Sequence, residues 1–117
     1  MRFPDICRAL DCIEYNRGED IADKEIRNVT AGDLMSEVLV FDLEDMLLVT
    51  SLNSEQVLRT ADMVDAVGVV LVNGKEPSDA MVSLARDQGT ALLSTPRSMF
   101  EACAVLHSLL TGTGGGA

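Results

Sequence analysis

Hydroxyl, amide and glycine residues recur where short apolar runs end: Thr50-Ser51 with Asn53, Asn73-Gly74-Lys75, and Ser94-Thr95. Such groups supply hydrogen bonds to a polar ligand, and backbone amides at Asn73-Gly74 beside the Lys75 ammonium could hold an anion. The same dipeptide also reads as a plain turn, because Asn and Gly both tolerate positive φ. An enzyme built on these residues would act on a phosphorylated or acyl metabolite, with helix N-termini binding the anion. No obvious general base lies among them.

Other reactive types are scattered. His107, the one histidine, falls on the helical face of Phe100 and Ala104, away from the apolar stripe. It has no Ser, Cys or Asp at the spacing of a catalytic group, which makes it a core-edge or surface residue. Cys7 and Cys12 come without a second pair of ligands, so small buried cysteines are expected rather than zinc or iron–sulfur. The acidic stretches Glu19-Asp20 and Asp42 with Glu44-Asp45 sit beside turns, where nothing else converges on them, and read as solvated loops. No G-x-x-x-x-G-K-[ST] sequence occurs, and the glycine run at 114–116 is neither preceded by a strand nor followed by Lys-Ser/Thr. No catalytic residue, metal ligand or cofactor is assigned.

The elements that must position these residues lie between Leu47 and Thr95. Apolar runs at 47–50, 67–72 and 91–94 each lead through a polar turn into a helical pattern. Strands alternating with helices of about a dozen residues imply βαβ units and a parallel sheet. The polar turns after the strands then share one edge, where open α/β sheets bind ligands. The near-continuous run 67–72 predicts a strand buried on both faces.

Around this centre, the pattern predicts a helix over 4–10 and strands at 10–15 and 24–29. A helix over 34–39 is expected to be capped by Asp33. Asn53 with Gln56 has the spacing of a capping box, ahead of a helix that turns Val57, Ala61 and Val64 to the sheet. Pro77-Ser78 opens a helix with Met81, Leu84 and Ala85 inward. Ser98 with Glu101 gives a capping box for the last helix, whose stripe is Met99, Cys103, Leu106 and Leu110. Met46, Met63, Met81 and Met99 are read as flexible core filler. Residues 1–110 form one domain, and 111–117 a disordered glycine-rich tail.

The totals bound the function. A length of 117 residues suits one domain with a real core. Nineteen acidic residues against nine basic give a formal charge of −10, which opposes nucleic acid and anionic membranes. Aromatics at 3% argue against a base-stacking platform. Three cysteines, and an N-terminus without the apolar core of a signal peptide, point to a reducing cytoplasm.

The order of motifs resembles a DRTGG domain. The residues that carry the resemblance are Val29-Thr30-Ala31-Gly32-Asp33-Leu34-Met35-Ser36, Leu48-Val49-Thr50, Val69-Val70-Leu71-Val72-Asn73-Gly74 with Pro77, and Leu92-Leu93-Ser94-Thr95 with Phe100. The similarity runs to about Leu110. Gly32-Asp33-Leu34-Met35-Ser36 and Leu92-Leu93-Ser94-Thr95 are its most specific parts. Such domains are modules of phosphotransacetylases and of pyrophosphatases with CBS domains, and the HPr kinase N-terminal domain has a similar fold. The resemblance implies a single α/β domain with a mainly parallel β-sheet, and a regulatory or dimerising role without a defined activity. The expected partners are a second copy, a partner protein, or a small anionic or nucleotide ligand. By family register Asp33 joins the strand-end residues, and would be the nearest candidate base were the chain an enzyme. The candidate ligand-binding set is therefore Asp33, Thr50, Ser51, Asn53, Asn73, Gly74, Lys75, Ser94 and Thr95. The two elements that name the family are degraded: Asn53-Ser54 replaces Asp-Arg, and Val72-Asn73-Gly74 replaces Thr-Gly-Gly.

Overall fold

The computed structural model describes residues 1–17, 23–41 and 43–112. Five strands form one sheet in the order β1-β5-β4-β3-β2. They are β1 (Ile13–Asn16), β2 (Asn28–Ala31), β3 (Met46–Thr50), β4 (Gly68–Leu71) and β5 (Ala91–Ser94). β2 to β5 lie side by side in chain order and are all parallel, while β1 pairs antiparallel with β5. The expected mainly parallel α/β domain is present.

Right-handed crossovers between neighbours that advance in one direction must all fall on one face of the sheet. The three connecting helices do: α2 (Met35–Val38), α3 (Glu55–Met63) and α4 (Asp79–Gln88). Their Met35, Val38, Val57, Leu58, Met81 and Ala85 form one core with Met46, Leu48, Val69, Leu71 and Leu92. The other face carries α1 (Phe3–Leu10) and α5 (Met99–Thr111). There Phe3, Ile6, Leu10, Ala102 and Leu106 pack on Leu47, Val49, Val70, Ala91 and Leu93. The alternation along each strand thus feeds two cores, and β3, β4 and β5 are buried throughout.

Several local expectations shift. Leu10 ends α1 rather than starting a strand, because Asp11 adopts the left-handed conformation (φ 53°) and its amide closes on Cys7. β2 begins at Asn28 rather than Lys24, since Arg27 and Asn28 both donate to the Asp45 carbonyl and pairing starts there. Asp33 does not cap α2: the N-cap is Leu34, with no side-chain hydrogen bond. Nor does Asn53 cap α3, whose N-cap is Ser54. The Ser78 cap and the Ser98–Glu101 capping box form as expected. Met35, Met46 and Met81 fill the core, whereas Met63 is 72% exposed. α5 continues through Thr111 to a left-handed Gly112, so these two residues, expected in the tail, belong to the helix and its cap. The rest of that tail, the Glu19-Asp20 stretch and Asp42 lie outside the described residues. Asp45 is no idle surface charge, because it pairs with Lys24 (3.3 Å) and Arg27 (3.5 Å).

Candidate functional site

The carboxyl ends of the four parallel strands carry all nine candidate residues, and they fall into two linked groups. The first is at the ends of β2 and β3. Asp33 Oδ1 accepts from Thr50 Oγ1 (2.9 Å) and the Ser51 amide (2.7 Å), and Oδ2 accepts from Ser51 Oγ (2.6 Å). These charge-assisted bonds favour the ionised carboxylate and hold its pKa below the ordinary value; the Ser51 hydroxyl and amide contribute most. Thr50 Oγ1 also accepts from the Leu52 amide (3.2 Å), so the turn after β3 is locked from both sides. An Asp after a strand reads as a helix cap by its local sequence. Its partners here lie 17 and 18 residues away, and no spacing rule predicts them.

The second group is at the ends of β4 and β5. The chain leaves β4 toward α4 on one face and β5 toward α5 on the other, so this is the topological switch point of the sheet. In open α/β folds that divergence opens a ligand crevice. Here cross-bonds close it. Asn73 (φ 60°) and Gly74 (φ 67°) form the expected turn. Their amides donate to the carbonyls of Arg97 and Thr95 (both 2.8 Å), and are therefore not free to cradle an anion. Ser94 Oγ donates to the Lys75 carbonyl (2.7 Å). Thr95, fully buried, donates from Oγ1 to the Leu10 carbonyl at the end of α1 and accepts from the Arg97 amide (3.2 Å). Asn53 joins the groups, its Nδ2 donating to the Glu76 carbonyl (3.1 Å).

Together the nine residues form a hydrogen-bonded rim along one edge of the sheet. Its cations are Lys75, exposed and without an ion pair among the described residues, and Arg97. Arg97 was missed as a candidate although it stands in the turn 95–98. It is held loosely between Asp11 (3.7 Å) and Glu101 (3.8 Å).

Cavities lined by described residues also lie outside the rim. One of about 250 Å³ sits at the opposite edge, near Lys24, Asp62, Asp65 and Gln88. Another, apolar and of about 260 Å³, lies between α5 and β2, with the exposed His107 at its margin. A third, of about 220 Å³, separates α1 from Leu109. Among the described residues, no group of three or more His, Cys, Asp or Glu could hold a metal ion. Cys7 and Cys12 are half-buried and touch. Burial pushes Cys7 up to about 11, aided by its hydrogen bond to Glu14, and Cys12 to about 12, aided by Cys7. Among the described residues, no helix is long and apolar enough to cross a membrane.

The fold is that of a DRTGG-like α/β domain. Among solved structures, the chain resembles the CBS and DRTGG domains of the regulatory region of Clostridium perfringens pyrophosphatase, complexed with the activator diadenosine tetraphosphate. The match has a TM-score of 0.77 at 15% identity and covers 90% of this chain but 45% of that one. No family model matches the sequence, and no curated relative does.

Proposed function

We propose that this domain is a non-catalytic regulatory module that acts as a homo-oligomer and responds to a small phosphorylated ligand, a nucleotide in the first place, at the carboxyl edge of its parallel strands. The observation that carries this reading is the fold. The structural neighbour is a regulatory region in complex with a nucleotide activator, and its similarity spans nearly the whole of this chain. The rim supports the assignment chemically. Lys75 and Arg97 flank the turns at the ends of β4 and β5 and supply positive charge for phosphates in an otherwise strongly acidic chain. The hydroxyls of Thr50, Ser94 and Thr95 shape that rim rather than meeting the ligand, because each is already engaged inside the protein.

A thermal-shift series against diadenosine tetraphosphate, ATP, AMP, pyrophosphate and sugar phosphates, at fixed salt and protein concentration, tests the proposal. A ligand at about a hundredfold over its dissociation constant adds roughly 2.7 kcal/mol to the folded state, an easily measured rise in melting temperature. The rise is expected for a nucleotide and is expected to vanish in Lys75→Ala. That variant is preferable to Asn73→Ala or Thr95→Ala, which would strain a left-handed turn or break the clasp to α1. No shift across the panel would sink the ligand reading.

A further inference from the structure

The two edges of the sheet are not alike. At β1 the ladder breaks at a bulge between Glu14 and Asn16, and the strand carries the Glu14–Arg17 ion pair (3.0 Å). Bulges and charges are the devices that keep an edge from pairing. β2 has neither, and its four side chains, Asn28 to Ala31, are uncharged. Asn28 donates to Asp45 and Gly32 to Val49, so by the alternation of a parallel ladder Thr30 also faces β3. The amides and carbonyls of Val29 and Ala31 therefore point away from the sheet.

Apolar surface flanks this open edge on both faces. On one, Val29 and Ala31 line the cavity against Cys103, Leu106 and Leu110 of α5. On the other runs the crossover from β2 to β3, with Leu34, Leu39, Val40, Phe41 and Leu43 all more than a third exposed. An unpaired edge with apolar cover above and below is what an added strand requires.

We infer that β2 pairs antiparallel with β2 of a second copy of this chain about a twofold axis at Thr30, giving one ten-stranded sheet across the dimer. The inference rests on the homo-oligomer part of the function proposed above and names its surface. A second copy fits because the edge is self-complementary. With Thr30 on the axis, Val29 of each copy meets Ala31 of the partner subunit, and the two pairs exchange four backbone hydrogen bonds. Continued beyond the strand, the same register sets Arg27, which already pairs with Asp45, opposite Asp33 of the partner subunit, whose carboxylate already accepts from Thr50 and Ser51. These two charges are exposed, so they select register and partner rather than adding much affinity.

Sedimentation velocity over a dilution series, with hydrogen exchange read at single amides, tests this. The expected species has twice the 12.5 kDa of one chain, and the Val29 and Ala31 amides exchange more slowly as concentration rises. Ala31→Pro removes an amide that no carbonyl of the described residues accepts, so its circular dichroism is expected to match the parent while it sediments as a monomer. Should that variant fail to fold, Leu110→Glu in the groove and the exchange of the unmodified protein decide instead. A monomer at every concentration, with fast exchange at both amides, would overturn both this inference and the homo-oligomer reading. A dimer that survives Ala31→Pro, with the Val29 and Ala31 amides of the unmodified protein exchanging freely, would overturn the surface and leave that reading standing. Dimerisation without any nucleotide-induced melting shift would leave the interface intact and remove the ligand.

Discussion

Thr95→Val isolates the clasp at the switch point. The substitution keeps size and β-branching but removes a hydroxyl that is fully buried and does two jobs: it donates to the Leu10 carbonyl and accepts from the Arg97 amide. Valine leaves both backbone groups without their partner, and Leu10 is itself fully buried, so water reaches that carbonyl poorly. Each buried group so orphaned costs about 1–3 kcal/mol, and some relaxation at the less buried Arg97 amide brings the sum to about 2–4 kcal/mol. For a domain of this size that is a fall in melting temperature of roughly 10 °C. Urea unfolding followed by circular dichroism would show the midpoint drop with an unchanged slope, since the area exposed on unfolding stays the same. Thr95→Ser, which keeps the hydroxyl and loses one methyl, is expected to cost only about 1 kcal/mol. If Thr95→Val melted within about 1 °C of the parent, the clasp would carry no net stability and the account of the closed crevice would fail.

Other perturbations follow from the same geometry. Gly68→Ala would place a Cβ 2.6 Å from Phe3 Cζ and 3.1 Å from Ala91 Cβ, so a loss of about 1–3 kcal/mol is expected in thermal unfolding, partly recovered in the double variant with Phe3→Leu. Asp33 has a depressed folded-state pKa, so its stabilisation is present above the ordinary carboxyl range and is lost as pH falls through the folded value. Asp33→Asn should therefore be less stable than the parent at neutral pH and approach it below about pH 4, a convergence that urea midpoints at the two pH values would reveal or deny. Cys7 at about 11 and Cys12 at about 12 are protonated at neutral pH, so iodoacetamide should label them about a hundredfold or more slowly than an ordinary thiol, with labelling followed by mass spectrometry. Labelling at the rate of the unfolded protein would contradict that burial.

Much of the architecture could be read from apolar runs, because β3, β4 and β5 lie at the sheet centre and hydrophobic continuity is how doubly covered strands appear. The edges were less legible. β1 and β2 are half-exposed, four residues long and set by long-range partners: Ser94 and Leu93 for β1, and the Asp45 carbonyl for the start of β2. Local capping chemistry succeeded at Ser78 and Ser98, where the acceptor meets an amide three residues on. It failed at Asp33 and Asn53, whose side chains reach across the strand ends to Ser51 and Glu76 instead. That preference is tertiary, and residues adjacent in sequence cannot express it. The same limit hid the state of the Asn73-Gly74 amides. The turn was plain in the sequence, but their occupation by Arg97 and Thr95 exists only once β4 and β5 are side by side.

The most direct test of the proposed role is a titration of the ¹⁵N-labelled protein with diadenosine tetraphosphate, followed amide by amide in two-dimensional NMR spectra. Saturable shifts are expected to concentrate at 50–54, 73–76 and 95–98 and to diminish in Lys75→Ala. Shifts confined to the opposite edge around Asp62, Asp65 and Gln88, or none at saturating ligand, would contradict that role.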